Sequence, residues 1–294
     1  ALREPWQDAA VLSAHGRELA GSALAHTIRT HERTFLFCDS RHDPTWLCAA
    51  LRENGISGVE VAVGERLSYP DERVISGSPE AIGRETFGPL CLARVFNPCP
   101  AKGLPDLGIP DGDFIRGKTP MTKKEIRTLA VAALHLATDS VVWDVGAGTG
   151  SVSVECARQC PEGAVYAVER DGEAILLIRE NAQKFFATNL AIVPGSAPEA
   201  LSSLPAPTHV FLGGSGGEMG AILDYIESLG VPVRLVATAV TLESAHFLTG
   251  RLSAWKEFEA AQVAVSRLER AGASHLFRAQ NPVYLFSAGW EGAK

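Results

Sequence analysis

An apolar run, Val141–Val145, leads into three alternating glycines and then into a helix-forming segment, residues 151–158. The glycines are Gly146, Gly148 and Gly150. Glycine tolerates left-handed backbone and, having no side chain, lets a ligand approach the main chain closely. The pattern therefore predicts a strand, a tight turn and a helix, which form one unit of an α/β fold with a ligand at the turn.

A second apolar run, residues 164–168, ends in Glu169, which lies 19 residues after Gly150. An acidic side chain at the end of the second strand can accept hydrogen bonds from both hydroxyls of a ribose. The glycine spacing differs from the Gly-x-Gly-x-x-Gly fingerprint of dinucleotide sites, so a pyrophosphate is not expected. Together these features favour a nucleoside without phosphates, and S-adenosylmethionine is the cofactor we expect. The alternative is a structural turn beside a solvated surface acid.

The composition is that of a protein with a full hydrophobic core, in one large or two ordinary domains. Of the 294 residues, 46% are hydrophobic and 21% are charged. The formal net charge of −7 and the lack of a lysine and arginine block argue against nucleic-acid binding. The sequence has no apolar stretch approaching the ~20 residues of a membrane span, and its six cysteines form no Cys-x-x-Cys pair. We expect a cytoplasmic protein without a metal site.

A segment rich in proline and glycine, residues 98–117, is the expected linker between two domains. The first domain, residues 1–97, alternates strand-like and helix-like segments. Its expected strands are residues 10–14, 34–38, 59–63 and 90–96, and its expected helix is residues 44–54. The second domain is residues 118–294.

Strands and helices alternate regularly in the second domain. Thr122 and Glu125 have the spacing of a capping box, which predicts a helix that reaches about Leu136. Expected strands at 141–145, 165–168, 191–193, 209–212 and 234–239 precede expected helical segments at 151–158, 172–186, 198–204, 218–229 and 242–252. This order predicts right-handed crossovers and a mainly parallel sheet. Two long strands without a helix between them, 257–268 and 282–288, predict a closing antiparallel pair.

Six motifs of this domain resemble the decarboxylating precorrin-6Y C(5,15)-methyltransferase family of cobalamin biosynthesis. They are residues 121–127, 144–150 (Asp-Val-Gly-Ala-Gly-Thr-Gly), 166–169, 195–201, 211–218 (Phe-Leu-Gly-Gly-Ser-Gly-Gly-Glu) and 281–282. The resemblance covers about residues 112–290. It implies an α/β fold of the class I S-adenosylmethionine-dependent methyltransferases, with a Rossmann-like seven-stranded sheet whose last pair is antiparallel.

Residues 1–100 are similar to the C-terminal half of a tetrapyrrole methylase domain that precedes this enzyme in bifunctional proteins. The similarity lies at residues 5–8, 39–46 and 65–73. The Gly-x-Gly-Pro-Gly and Gly-Asp-Pro motifs of that domain's own cofactor site are absent from this sequence. We therefore expect the first domain to be partial and not catalytic.

Cofactor contacts are expected along the ends of the first three strands. The glycine turn should wrap the methionine part of the cofactor, with the helix N-terminus facing its carboxylate. Glu169 should bind the ribose, and Asp144 could hold the turn or contact the methionine ammonium. The resemblance adds Ser196 and Ala197 beside the adenine, and Thr122, which could equally serve only as a helix cap. The expected cofactor-binding residues are Thr122, Asp144, Gly146, Ala147, Gly148, Thr149, Gly150, Glu169, Ser196 and Ala197.

The loop after the fourth strand faces the place where a methyl acceptor must lie. Its glycines provide a flat wall for a large planar macrocycle, although a loop tip without a role would look similar. The expected acceptor-binding residues are Leu212, Gly213, Gly214, Ser215, Gly216, Gly217 and Thr238. Basic side chains that could pair with the carboxylates of a precorrin are Arg116, Lys118, Lys123, Lys124, Arg127, Arg267, Arg270 and Arg278.

The resemblance implies methylation of carbon 15 of a precorrin, with loss of carbon dioxide from the acetate at carbon 12. An electron-rich macrocycle carbon is its own nucleophile, so no Ser–His or Cys–His pair is required. Glu218 and Glu243 are the candidates for an acid or base. The family and the exposed edge of the last hairpin suggest a homo-oligomer. Three alternatives remain: a methyltransferase for RNA or protein, a nicotinamide-dependent oxidoreductase, and a non-catalytic subunit.

Overall fold

The computed structural model describes residues 6–16 and 18–292, and the chain divides into two compact units. The first comprises Ala1–Leu104 with Phe186–Asn189, and the second comprises Pro105–Phe185 with Leu190–Lys294. Each unit contains a sheet of its own. Among the described residues, no helix combines the length and the apolar character needed to cross a membrane.

The first unit contains a five-stranded mixed sheet. Its elements are β1 (Ala10–Ser13), α1 (Gly21–Thr30), β2 (Arg33–Phe37), α2 (Pro44–Glu53), β3 (Glu60–Glu65), β4 (Arg73–Gly77), α3 (Pro79–Ile82) and β5 (Cys91–Phe96). The strand order is β1-β2-β5-β3-β4, in which only β1 and β2 pair in parallel. The expected strands and helix are confirmed to within one or two residues, whereas α1, β4 and α3 were not expected.

The second unit alternates strands and helices along almost its whole length. Its elements are α4 (Lys124–Leu134), β6 (Val141–Val145), α5 (Ser151–Gln159), β7 (Ala164–Glu169), α6 (Gly172–Lys184), β8 (Leu190–Pro194), β9 (His209–Leu212), α7 (Met219–Ser228), β10 (Val233–Ala239), α8 (Leu242–Leu252), β11 (Lys256–Val263), β12 (Ser266–Ala271), β13 (Ser274–Ala279) and β14 (Val283–Trp290). The predicted order of elements from β6 to α8 is confirmed except for the helix expected between β8 and β9.

The large sheet has the strand order β11-β14-β10-β9-β6-β7-β8. The strands from β10 to β8 pair in parallel, and β14 and β11 are antiparallel. The predicted seven-stranded sheet with an antiparallel last pair is therefore confirmed. The chain runs from β6 outward through β7 to β8 and then returns to β9 on the other side of β6. Such a reversal leaves a crevice at the carboxyl ends of β6 and β9, where ligands of open α/β sheets bind.

Three local expectations were wrong. Thr122 does not cap α4: the cap position is Lys123, which has no side-chain cap bond, and the Asp111 carboxylate accepts the Lys124 N–H at 2.8 Å instead. Segment 198–204 forms only a 3-10 turn, Glu199–Ser203. The strand expected at 257–268 is divided into β11 and β12, and β12 pairs with β13 in a separate two-stranded hairpin.

Residues 105–117 of the expected linker belong to the second unit and are bonded to its helices α5 and α6. The N–H groups of Gly108 and Ile109 donate to the Glu155 carboxylate at 2.9 and 3.0 Å. The Ile115 backbone exchanges hydrogen bonds of 2.8 and 2.9 Å with the buried Asn181 amide. These side chains replace the backbone partners that an irregular segment lacks, so the segment is held although its regular structure is limited to a 3-10 turn, Asp111–Asp113.

Candidate cofactor and acceptor site

The described residues form a large cleft at the carboxyl ends of β6, β7, β9 and β10. Its volume is about 1160 Å³, above the roughly 1,000 Å³ at the upper end of sites for a single small ligand. The cleft is lined by the ends of these strands, by residues 118–123 and by the β11–β14 side of the sheet. A cleft of this size has room for a cofactor and a second molecule.

The glycine turn forms the floor of the cleft. Gly146, Gly148 and Gly150 all have positive φ angles, of 73°, 56° and 73°, and Gly150 directly precedes α5. A Cβ at Gly146 would collide with the backbone of Gly214. At Gly148 a Cβ would lie 3.2 Å from the Pro120 carbonyl oxygen. Two conditions therefore require glycine here: the left-handed backbone and the close approach of neighbouring segments.

Glu169 ends β7 and turns its carboxylate toward the glycine turn. One oxygen accepts the Gly148 N–H at 2.8 Å, and the other accepts the N–H groups of Arg170 and Asp171 at 2.9 and 3.0 Å. The side chain lines the cleft. These bonds fix the carboxylate at the rim between β6 and β7, which is the position that a ribose-binding acid occupies in α/β nucleotide folds.

Asp144 lies beneath the turn, in the protein interior. It is fully buried, and the Ser153 hydroxyl donates to its carboxylate. Burial raises the pKa of Asp144 to about 7, although hydrogen bonds from Ser153 act in the opposite direction. Asp144 does not line the cleft. Of its two expected roles, the structure favours support of the glycine turn over direct contact with a ligand.

A stretch of irregular backbone, residues 118–123, closes one side of the cleft, and we call it the lip. It packs against the glycine turn, because a Cβ added at Gly148 would lie 3.2 Å from the Pro120 carbonyl oxygen. All six of its residues line the cleft. Thr122, expected as a cofactor contact, is one of them, and its carbonyl oxygen accepts a 2.7 Å hydrogen bond from Arg127. The lip therefore depends on side chains outside the cleft for its position.

The glycine-rich loop after β9 forms the opposite wall. Gly213, Gly214, Ser215 and Gly216 line the cleft, together with Glu218. A Cβ at Gly214 would meet nothing within 4 Å, so the wall is open toward the cleft at this position. At Gly216 a Cβ would lie 2.9 Å from the Arg170 guanidinium. The loop thus presents bare backbone to the cleft between β9 and β7.

Comparisons with known proteins agree with this geometry. A family model described as a precorrin methyltransferase domain matches residues 113–289. The chain is 42% identical over 187 residues to a probable cobalt-precorrin-6B C(15)-methyltransferase (decarboxylating) of Pyrobaculum calidifontis, covering 62% of this chain and 95% of the relative. The chain belongs to the precorrin methyltransferase family.

Two further members of the precorrin methyltransferase family are informative. A precorrin-6Y C(5,15)-methyltransferase [decarboxylating] of Sinorhizobium sp. is 31% identical over 239 residues, which cover 81% of this chain but only 57% of that protein. The crystal structure of a precorrin-6Y C5,15-methyltransferase from Geobacter metallireducens is 36% identical, with a TM-score of 0.59, and covers 63% of this chain and 98% of its own.

The structure of this precorrin methyltransferase brings most of the expected site residues to the cleft. The expected residues that line it are Thr122, Gly146, Ala147, Gly148, Glu169, Ser196, Ala197, Gly213, Gly214, Ser215, Gly216, Glu218 and Thr238. The expected residues outside the lining are Asp144, Thr149, Gly150, Leu212, Gly217 and Glu243. Leu212 belongs to the hydrophobic core, and Glu243 lies in the first turn of α8.

Some of the expected basic residues line the cleft, and others are bonded to carboxylates of the protein itself. Of that set, only Lys118 and Lys123 line the cleft. Arg127 is fully buried and bonded to Glu155, Asp111 and two backbone carbonyls, so the expectation that it binds an acceptor was wrong. Arg267 is bonded to Asp111 and Glu125, and Arg278 is paired with Glu269. These guanidinium groups serve the protein's own carboxylates.

Sequence reasoning did not identify Arg170 or the apolar side of the cleft. Arg170 lines the cleft with no ion pair among the described residues. The sequence signal that could have identified Arg170 is its position directly after Glu169, at the end of a strand. The apolar side is formed by residues from the last strands and their connections: Val240, Val263, Val265 and Val283. Val263 lies opposite Val283 in the antiparallel pairing of β11 with β14, and Val240 follows β10, the other neighbour of β14. The pattern of single segments does not reveal these pairings.

Proposed function

We propose that this chain transfers a methyl group from S-adenosylmethionine to carbon 15 of a precorrin or cobalt-precorrin, with loss of carbon dioxide from the acetate at carbon 12. The single observation that carries the proposal is the cleft at the ends of β6, β7 and β9, in a member of the precorrin methyltransferase family. In this cleft the glycine turn and Glu169, which suit a nucleoside, face the open glycine-rich loop after β9. The relatives named above carry C15-methyltransferase and decarboxylating in their names.

The residues present fit S-adenosylmethionine. The Gly146–Gly150 turn offers backbone to the methionine part, and the N-terminus of α5 favours its carboxylate. We assign the ribose hydroxyls to the Glu169 carboxylate and the adenine to Ser196 and Ala197, and the position of all three residues in the cleft lining supports this. When bound, this cofactor supplies an electrophilic methyl group on a sulfonium.

The acceptor fits between the glycine wall and the apolar side of the cleft. A flat macrocycle can lie on the backbone of Gly213–Gly216, while Val240, Val263 and Val265 cover its other apolar surface. Three cations line the same cleft and can pair with the carboxylate arms of a precorrin: Lys118, Lys123 and Arg170. Five acidic residues line the cleft as well, Glu169, Asp171, Glu173, Glu199 and Glu218, so binding of a polycarboxylate would depend on the positions of these three cations and not on a positive net charge.

The protein's role in this reaction is to hold the two reactants in position and to exclude water. The lip and the glycine wall hold the two reactants against each other from opposite sides. Loss of carbon dioxide leaves an electron pair that the conjugated macrocycle can accept, and a proton must then reach the carbon-12 substituent to complete a methyl group. Of the two acids expected for this step, Glu218 lines the cleft and Glu243 does not, so we propose Glu218 as the proton carrier.

The proposal is tested by incubating the chain with S-adenosylmethionine and a precorrin substrate and by measuring product masses. One added methyl group together with the loss of one carbon dioxide is the expected result, and methylation at carbon 5 is expected to be absent. Methylation without decarboxylation, or no product from a chain that binds the cofactor, would overturn the proposed reaction. Titration with nicotinamide cofactors and with RNA or protein acceptors separates the alternative functions.

We also propose the domain organisation: residues 1–97 as a non-catalytic C-terminal half of a tetrapyrrole methylase domain, 98–117 as a linker and 118–294 as the methyltransferase. The alignment with the Sinorhizobium protein supports this, because coverage of 81% of the chain must include part of the first unit. A cytoplasmic homo-oligomer is proposed as well. Leu268, Leu276 and Phe277 are exposed apolar residues on the β12–β13 hairpin, and light scattering would test their role in association.

A further inference from the structure

A cluster of charged side chains behind the cleft connects segments that are distant in sequence. At its centre, the buried Arg127 guanidinium donates from Nε to Glu155 at 2.7 Å and from Nη1 to the Thr122 carbonyl at 2.7 Å and to Asp111 at 3.3 Å. It also lies over the Phe114 ring, with the guanidinium carbon 4.6 Å from the ring centroid. A guanidinium cannot lose its proton at ordinary pH, so burial requires all of these partners.

The cluster is the support of the lip. The Thr122 carbonyl, within the lip, is held by Arg127, and the first N–H of α4, at Lys124, is held by the Asp111 carboxylate. The Lys123 cap position of α4 forms no side-chain cap bond of its own. Asp111 therefore substitutes for a local cap, and its position determines where the lip ends and the helix begins.

Arg267 joins this cluster from the β12–β13 hairpin. Its Nη2 donates to Asp111 at 2.9 Å and to Glu125 at 2.6 Å, so one guanidinium bridges both carboxylates. The bridge holds the pKa of Glu125 below its usual range, against burial and against the charge of Asp111. Without Arg267 the two carboxylates would repel each other across the start of α4.

The hairpin that carries Arg267 also begins and ends at the cleft. Val265 and Gln280 flank β12 and β13, both line the cleft, and the Gln280 N–H donates to the Val265 carbonyl at 2.9 Å. Arg267 follows Val265 by two residues. A single side chain thus connects the acceptor side of the cleft, at the base of the hairpin, to the support of the lip on the cofactor side.

We propose that Arg267 is a positioning residue that couples the two sides of the cleft: through Asp111 and Glu125 it holds the lip over the glycine turn. Arg267 does not line the cleft, so its effect passes through the lip and not through contact with a ligand. The Arg267 bridge therefore restricts the position of residues 118–123 more than their own backbone does. The inference takes S-adenosylmethionine from the proposed function only as the probe.

The first test compares Arg267→Met and Arg267→Lys with Arg278→Met. Arg278 is the direct cross-strand neighbour of Arg267, is paired with Glu269 and does not line the cleft, so it is a matched control. By calorimetry, Arg267→Met should weaken S-adenosylmethionine binding about three- to tenfold. Arg267→Lys can pair with only one of the two carboxylates at a time, so its affinity for S-adenosylmethionine should lie between those of Arg267→Met and the wild type. Arg278→Met should bind as the wild type does.

A kinetic measurement separates positioning from a general loss of structure. Arg267→Met should raise the KM for S-adenosylmethionine while kcat stays within about twofold, because the reacting groups are untouched. Equal affinities and KM values for Arg267→Met and Arg278→Met would overturn the inference. So would a fall in kcat with KM unchanged.

A second measurement does not depend on the cofactor. Backbone hydrogen exchange should accelerate in residues 118–126 of Arg267→Met and remain at the wild-type rate in Arg278→Met, with β6 and α5 unchanged in both. Unchanged exchange in 118–126 would overturn the inference even if the chain binds S-adenosylmethionine. Faster exchange in a chain without measurable cofactor affinity would support the coupling and count against the proposed function alone.

Discussion

At the residue scale, the glycines of the turn could be predicted from the sequence because the backbone there requires glycine. The glycines of the turn have positive φ angles and no room for a Cβ, so their identity follows from geometry. The position of Glu169 at the end of a strand was predicted correctly, and its contact with the ribose stays a prediction. Arg127 was misread, although Ala130, Val131 and Leu134 follow it at the spacing of one buried helix face. A charged residue on such a face needs internal partners, and the sequence does not show which ones.

Glu169→Ala should weaken S-adenosylmethionine binding. Hydrogen bonds to a charged acceptor contribute about 1.5–3 kcal/mol each, so the loss of the ribose contacts should raise Kd roughly 10- to 100-fold. Glu169→Gln keeps one acceptor and should have an intermediate Kd. Calorimetry measures both, with Glu180→Ala, exposed on α6 and outside the cleft, as the control. An unchanged Kd for Glu169→Ala would remove Glu169 from the site.

The buried Asp144 should make stability depend on pH. Burial raises its pKa from 3.8 to about 7, so between these values the folded state keeps a proton that the unfolded state releases. Stability from this group is therefore greatest at the acid end and falls as pH rises toward 7, by on the order of 4 kcal/mol at most. Asp144→Asn keeps an acceptor for Ser153 and cannot ionise. Its melting temperature should decline less than that of the wild type between pH about 4 and about 7, and parallel curves would contradict the prediction.

At the element scale, prediction succeeded where a segment carried its own signal. Strand His209–Leu212 and helix Leu242–Leu252 have the predicted bounds. Helix α1 was missed because it begins with Gly21, has no side-chain cap and contains poor helix formers such as Thr27 and Thr30. The break between β11 and β12 falls at Ala264 and Val265, with no glycine or proline to mark it. Such boundaries depend on pairing between distant strands, which local patterns do not encode.

The glycine wall after β9 should serve the acceptor and not the cofactor. A side chain at Gly214 would project into open space within the cleft, so Gly214→Leu should fold normally and occupy part of the acceptor's volume. We expect the KM for the precorrin to rise at least about tenfold while the Kd for S-adenosylmethionine stays within about twofold. Gly250→Ala, in α8 with nothing near its Cβ, is the control and should slightly stabilise the chain without changing either constant. A parallel loss of cofactor affinity in Gly214→Leu would place the wall on the cofactor side instead.

At the scale of the whole molecule, the second unit contains the whole lining of the cleft. Its core contains buried residues of β6, β9, α7, β10 and α8, and its sheet is complete with seven strands. The cleft lining runs from Lys118 to Val283 and includes no residue of the first unit. The Pyrobaculum relative is covered over 95% of its length by only 62% of this chain. A protein of about the size of the second unit therefore exists in the family.

Residues 105–294 alone should accordingly fold and bind S-adenosylmethionine with a Kd within about twofold of that of the full chain. The start at residue 105 retains Gly108, Ile109 and Asp111, whose bonds to Glu155, Arg127 and Lys124 support the lip. A start at residue 118 removes these partners and leaves Arg127 buried without Asp111, so it should unfold at a lower temperature and bind the cofactor more weakly. Circular dichroism and calorimetry on both fragments test this. If the two fragments behave alike, the segment before the lip has no part in holding the site; if 105–294 does not fold, the first unit is needed for the stability of the second.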